Sequence, residues 1–239
     1  MIRIVWVCVV TLAIGLAVSA QKETKLWTEW TQKDVLKVLN DSAWGQTQVE
    51  TEQATGSTAA ITSTTDKEKL NRDASKPTTG AVTGYIKYFI RFLSARPIRE
   101  AVVRKLQLEQ PSMAMTEQLK AFAETGSTDY IVVSVLAEAS DKKMAGSAMQ
   151  AFNTASLESL KEVTYLERKD GQRLLLMDFR PPTNDGLGAK FVFARMVKNQ
   201  PFMSDEAGQV RFFCQLSRTI KVTARFKVSD MMYDGKLEY

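Results

Sequence analysis

Tyr85-Ile86-Lys87-Tyr88-Phe89-Ile90-Arg91-Phe92-Leu93, the centre of a segment running from Ala81 to Ser94, consists of β-formers throughout. It reads as a strand. Ile86, Tyr88, Ile90 and Phe92 fall on one face, with Tyr85, Lys87, Phe89, Arg91 and Leu93 on the other. That alternation suits a sheet packed on one side and partly wet on the other.

Downstream, Pro97 sits at a first helical position, and Ile98, Val102 and Leu106 form a stripe at four-residue spacing through Leu108, with Arg99, Arg104 and Lys105 directed to solvent. A second helix from Thr116 to Thr125 carries Leu119 and Phe122 inward and stops at Gly126. Asp129 to Glu138 contains Tyr130-Ile131-Val132-Val133-Ser134-Val135-Leu136, a nearly continuous apolar run that suits a central strand. Ser140 to Glu162 returns to helical composition, as two short helices broken near Asn153. Val163 to Arg168 and Arg173 to Arg180 then flank Lys169-Asp170-Gly171-Gln172, where Asp170-Gly171 is a hairpin signal. Arg180-Pro181-Pro182 ends the second of these strands, since proline cannot donate to a ladder. Ala189 to Arg195, Gln209 to Ser217 and Thr219 to Ser229 alternate as strands with one buried face, the last through Ile220, Val222, Ala224, Phe226 and Val228. Helices gathered among the early strands, followed by strands in direct succession, predict an α+β fold. The expectation is a single domain, 21–239, with a largely antiparallel β-sheet covered on one face by short helices.

Upstream, Gln53 to Gly80 shifts to Thr, Ser, Ala, Lys and Asp with no apolar period and reads as a flexible polar loop inserted into that domain. Gln46 to Thr51 alternates and reads as an edge strand or an extended lead-in. Before it, Trp27, Trp30 and Trp44 bracket a short helix. Thr31 and Asp34 have the spacing of a capping box, Val35 and Leu39 with Leu36 and Val38 make an apolar stripe, and Asn40-Asp41-Ser42 with Gly45 stop it. A three-turn helix is marginal alone, so these tryptophans either clamp it onto the sheet or form an aromatic platform for a ligand. Met1 to Ala20 has Arg3, then an apolar run from Ile4, and closes on Val18-Ser19-Ala20. That is the pattern of a signal peptide cut before Gln21, which predicts an exported protein, periplasmic or secreted, with no stable transmembrane segment after cleavage. Cys8 lies within the apolar run and not at the cut, which argues against a lipid anchor.

Without that segment Cys214 is the one remaining thiol, so no internal disulfide can form. Its face is shared with Val210, Phe212 and Leu216, which predicts a buried, inert thiol. Net charge is +5, from 32 basic and 27 acidic residues with no dense basic block, which argues against nucleic-acid binding. The 239 residues include no histidine, which removes Ser-His-Asp and Cys-His nucleophile systems and histidine-ligated zinc. Neither a metal site nor a cofactor motif is expected: Asn184-Asp185-Gly186-Leu187-Gly188 lacks the lysine and following helix of a phosphate loop and reads as a turn.

Besides the tryptophans, two groups of residues could carry function. Arg91, Ser94, Arg96 and Arg99 span a strand end and the start of the next helix, where guanidinium groups and free amides can hold an anion, and Arg104 extends the row. The competing reading is a solvated basic face compensated by Glu100. Asp178, Asp185, Asp205 and Glu206 are the loosely grouped carboxylates from which a glycosidase pair would have to come.

Trp30-Thr31-Gln32-Lys33-Asp34, Leu39-Asn40-Asp41-Ser42-Ala43-Trp44, Ile90-Arg91-Phe92-Leu93-Ser94-Ala95-Arg96-Pro97-Ile98-Arg99-Glu100-Ala101 and Ser229-Asp230-Met231-Met232-Tyr233-Asp234-Gly235-Lys236-Leu237 resemble an uncharacterised family of exported bacterial proteins. The resemblance implies export and a single folded unit, and brings no active site; that family's pattern has proline where Ala43 stands. The resulting expectation is a non-catalytic binding or interaction protein of the bacterial cell envelope, with an unknown envelope partner or ligand. The alternative is a histidine-free, carboxylate-dependent hydrolase acting on glycans.

Overall fold

Thr31 opens the first helix, α1 (Gln32–Asn40), through a reciprocal cap: its Oγ1 accepts from the Asp34 amide at 3.3 Å, and the Asp34 carboxylate accepts from the Thr31 amide at 2.9 Å. Val35 and Leu39 are buried, whereas Leu36 turns outward. The structure is a computed structural model and describes residues 25–53, 58–61, 82–112, 114–126, 129–204 and 207–239. The signal-peptide segment, most of the 53–80 segment, and Asp205 and Glu206 therefore lie outside the described residues.

After α1 come β1 (Gly45–Gln53), β2 (Thr58–Ile61) and β3 (Val82–Phe92), then α2 (Arg96–Glu109), α3 (Glu117–Glu124) and β4 (Tyr130–Ala139). Two helices, α4 (Lys142–Thr154) and α5 (Leu157–Leu160), precede β5 (Thr164–Arg168), β6 (Arg173–Leu175), β7 (Asp178–Arg180) and β8 (Ala189–Ala194). A small ladder β9 (Met196–Val197) and β10 (Gln200–Pro201) leads to β11 (Gln209–Gln215) and β12 (Lys221–Lys227), and a last hairpin pairs β13 (Met232–Tyr233) with β14 (Lys236–Leu237). The fold is α+β, and its sheets are antiparallel.

The strands divide between two sheets, a six-stranded one in the order β2-β1-β3-β4-β8-β7 and a four-stranded one in the order β12-β11-β5-β6. Their inner faces share one apolar core. Register layers it: Phe92 lies opposite Val133 and Val133 opposite Phe191, with Ile90, Val135 and Ala189 in the next layer. Across the gap Phe92 meets Phe226 edge-on at 4.7 Å between ring centroids, and Phe191 and Phe193 meet Phe212 at 5.4 and 6.4 Å. Gln48 on β1, 2 % exposed, ties the sheets together at one edge: its Nε2 donates to the Lys221 carbonyl at 2.7 Å and its Oε1 accepts from the Thr223 amide at 2.7 Å. One side-chain amide thus satisfies main-chain groups on β12, the edge strand of the smaller sheet, in place of another strand.

Four expectations change. Arg173 to Arg180 is not one strand: the chain leaves the smaller sheet after β6, buries Leu176, and joins the larger one as β7, because two facing sheets offer it a partner on each side. Gln46 to Thr51 forms part of β1, which is interior, between β2 and β3. Thr58–Ile61, read as loop, is β2, since ladder bonds are main-chain bonds and need no apolar pattern. Arg99, expected in solvent, is 5 % exposed, because α2 is enclosed by α1, α3 and the chain beyond β14, and Pro97, Ile98, Glu100, Ala101 and Val103 are buried with it. Among the described residues no helix is long and apolar enough to cross a membrane.

Candidate functional site

Beyond β12 the chain makes a 3-10 turn, Val228–Asp230, and the β13–β14 hairpin, turning through Asp234 and Gly235 at φ 49° and 74°. Asp234-Gly235 is the same hairpin signal as Asp170-Gly171, and it escaped the sequence reading because its strands are two residues each. The hairpin returns Glu238 and Tyr239 to the start of α2, and a cleft lies there.

Ala95 is the N-cap of α2 and has no side chain to cap it, so the first-turn amides need an outside acceptor. Glu238 supplies one, its Oε2 accepting from the Arg96 amide at 3.2 Å. Ser94 Oγ accepts from the Val132 amide at 3.0 Å and is occupied with holding β4. The Arg99 guanidinium donates to two carbonyls, Phe122 O through Nε at 2.9 Å and Ser94 O through Nη1. Gly126, just past α3, packs against it so closely that a Cβ there would lie 3.1 Å from Arg99 Nη2. On the opposite wall Arg195, following β8, stacks over the Tyr239 ring at 4.1 Å and donates to the Tyr239 main-chain oxygen, and its buried Nε has no partner among the described residues. Between them is a cleft of about 330 Å³, with Glu124 and Glu238 also on its walls.

Burial depresses the Arg99 guanidinium below its ordinary value; the Glu238 and Glu100 carboxylates work against that depression, and the Arg96 and Arg195 guanidiniums add to it. Two arginines, Arg99 and Arg195, and two glutamates, Glu124 and Glu238, thus line the cleft, with Arg96 and Glu100 near enough to act on Arg99. Arg96 leans to the outer side, bonded through Nε to Glu100 at 2.8 Å and paired with Asp234 at 3.3 Å. Glu100 is fully buried and also accepts from the Tyr233 hydroxyl. Burial raises its carboxyl above the ordinary range, against the pull of Tyr233 and Arg96.

Of the residues singled out from the sequence, the fold brings Ser94, Arg96 and Arg99 together and takes Arg91 away. Arg91 ends α1 instead, donating from Nε to the Leu39 carbonyl at 3.0 Å and from Nη2 to Asn40 Oδ1 at 2.9 Å, with burial pushing its pKa down to about 10. The tryptophans do not share a platform. Trp30 is 9 % exposed and donates to the Lys25 carbonyl, and Trp27 packs half-buried at the core margin. Trp44 donates to the Glu238 carbonyl at 2.8 Å and meets Tyr233 edge-on at 5.9 Å, so it holds the hairpin that closes the cleft.

Asp178 is paired with Arg180 within β7, and Asp185, in the turn before β8, with Lys190 on β8. Gly188, behind Asp185, passes so near the Val135 carbonyl that a Cβ would lie 2.2 Å from it, and its φ is 79°: this glycine serves chain packing, whereas Gly186, at φ 70°, serves the turn itself. Cys214 is buried beside Thr164, its thiol pushed up to about 12 by burial. Arg168, Lys169, Arg211 and Arg225, dispersed in sequence, line one surface around Glu167, which pairs with Arg173 and Arg211. Among the described residues no cluster of cysteine and acidic side chains is placed to hold a metal ion. Sequence reasoning missed Arg195, Glu124 and Glu238; the Asp234-Gly235 turn was the one local signal that could have placed Glu238 near a strand end.

No family model matches the chain, no curated protein matches it, and no solved structure matches it.

Proposed function

We propose that the protein is an exported, non-catalytic binding protein of the bacterial cell envelope, and that the cleft between Arg99 and Arg195 takes a small anionic group, carboxylate or phosphate. The observation that carries this reading is that both guanidiniums line one cleft and, among the described residues, neither is paired with an acidic side chain: Arg99 bonds to carbonyls and Arg195 to a main-chain oxygen, with its Nε left over. A planar guanidinium is matched to a carboxylate or phosphate by paired donors. Glu238, seated on the helix start, is the internal carboxylate that such a ligand meets first.

A second reading rests on Glu124 and Glu238 facing the same cleft, the kind of carboxylate pair that a histidine-free glycan hydrolase requires. Titration calorimetry with inorganic phosphate and with succinate separates the two. Saturable binding, weakened at least about tenfold by Arg195→Ala and strengthened by Glu238→Gln, supports the binding reading. Absence of binding by either anion, or binding indifferent to Arg195→Ala, overturns it; glycan turnover abolished by Glu124→Gln moves the protein to the hydrolase reading. Export is tested by mass spectrometry of the envelope fraction, where the reading requires an N-terminus at Gln21.

A further inference from the structure

We propose that a second cleft, separate from the arginine site, binds a primary ammonium group carried on a short apolar body. Its floor is Glu50 on β1 beside Ile86 and Tyr88 on β3, and its walls are α4, through Met144, and the turn before β12, through Ile220; its volume is about 320 Å³. The cleft thus lies between the larger sheet, α4 and the turn that leads into the smaller sheet's edge strand.

Two buried polar groups on that floor lack what their chemistry calls for. Glu50 is 7 % exposed, and its one hydrogen-bond donor among the described residues is Gln48 Nε2 at 2.9 Å; it makes no ion pair there. An ionised carboxylate has room for about four donors, and burying one without a cation or further donors is costly. Tyr88, 1 % exposed, lines the same cleft, and its hydroxyl makes no hydrogen bond among the described residues. Both residues line the one cleft, where burial, and after it the Glu50 charge, raises the Tyr88 phenol above its ordinary value. A group that donates several hydrogen bonds, carries positive charge and is small enough to reach between them completes both: a primary ammonium. Ile86, Met144 and Ile220 then contact the carbon chain next to it, as in ligand sites where apolar walls surround a few placed polar groups.

Lys143 stands exposed at the rim. Its charge disfavours a polycation and offers a partner for a carboxylate, so the ammonium can come from a simple alkylamine or from an amino acid with an apolar side chain. Both carry the same group to Glu50.

The test is amide-signal titration of the full chain with n-pentylammonium, L-leucine and the uncharged control 1-pentanol. Saturable shifts at Glu50, Tyr88 and Ile220 are expected with at least one of the ammonium compounds and not with 1-pentanol. Glu50→Gln, which preserves the shape and the bond from Gln48, should weaken binding roughly 10- to 100-fold, the size of a charge-assisted hydrogen bond in a buried setting. Tighter L-leucine binding that falls in Lys143→Ala supports the site with an amino-acid ligand; tighter n-pentylammonium binding, unchanged or improved in Lys143→Ala, supports it with an amine. No saturable shift with either ammonium compound, equal binding of 1-pentanol, or binding indifferent to Glu50→Gln overturns the proposal. Should Glu50→Gln fail to fold, Tyr88→Phe, which removes only the unbonded hydroxyl, takes its place and should weaken the same binding several-fold.

Discussion

Gln48→Ala probes the joint between the sheets most directly. The native side chain donates to the Lys221 carbonyl and to Glu50, accepts from the Thr223 amide, and is 2 % exposed. Truncation leaves a main-chain donor and a main-chain acceptor on β12 without partners and strips Glu50 of its donor. Each buried group so abandoned costs about 1–3 kcal/mol, less where water can reach it, and taking the low half of that range for the two strand-edge groups and about 1 kcal/mol for Glu50, which lines an open cleft, gives roughly 3–5 kcal/mol in all. With a urea m-value of roughly 2 kcal/mol/M, the midpoint should fall by about 1.5–2.5 M. Gln48→Glu sharpens the test. It keeps the size and the acceptor for Thr223 but sets a carboxylate against the Lys221 carbonyl and the Glu50 carboxylate, so it should destabilise the fold despite its conservative shape. A midpoint shift below about 0.2 M for Gln48→Ala, or Gln48→Glu behaving as wild type, would refute the view that this one amide substitutes for a neighbouring strand.

Three further outcomes are expected. Burial raises the Glu50 carboxyl above its ordinary 4.5, so the folded state holds that proton more tightly than the unfolded chain; this contribution is fully present below the unfolded value and is lost as pH rises through the folded one. Glu50→Gln should therefore raise Tm at neutral pH and leave it unchanged near pH 4, and a difference constant across thermal melts from pH 4 to 8 would contradict this. Tyr233→Phe removes the hydroxyl that bonds the fully buried Glu100 and should cost about 1–3 kcal/mol in urea unfolding, with a loss under 0.5 kcal/mol speaking against a structural role for that bond. Trp30, nearly enclosed and bonded to Lys25, should make the indole emission of the folded protein blue-shifted and send it red on unfolding; emission that stays at the hydrated wavelength throughout would put the tryptophans back in solvent.

The arginine cleft and the ammonium cleft differ in how they arise. The first closes where the β13–β14 hairpin meets a helix start, through Trp44, Tyr233 and Glu238; the second lies between β1 and β3, α4 and the turn before β12. Ser94, Arg96 and Arg99 were legible as neighbours because they lie within one strand-to-helix connection, where separation in sequence bounds separation in space. Arg195, Glu124 and Glu238 arrive from three other elements, and only the Asp234-Gly235 turn gives a local sign, of Glu238 alone. Glu50 and Tyr88 were hidden for the opposite reason. Both sit in regular alternation on strands, and alternation tells which residues share a face without telling whether that face meets apolar side chains or an open cleft.

Local chemistry was settled by the residues themselves. Thr31 and Asp34 cap α1, Asp170-Gly171 turns the β5–β6 hairpin, Pro97 sits in the first turn of α2, and the alternation of β3, β11 and β12 orients their side chains, since each depends on hydrogen bonds or sterics within a few residues. Sheet membership was decided only in three dimensions. Arg173 to Arg180 carries one continuous strand pattern, yet the packing of two sheets breaks it at Leu176. Arg91 and Arg99 both read as exposed cations; one became the stop of a helix and the other a cleft wall because carbonyls at Leu39, Ser94 and Phe122, remote from them or out of local register, were brought within reach. A buried charge is placed by the acceptors that surround it, and those acceptors exist only once the chain has closed on itself.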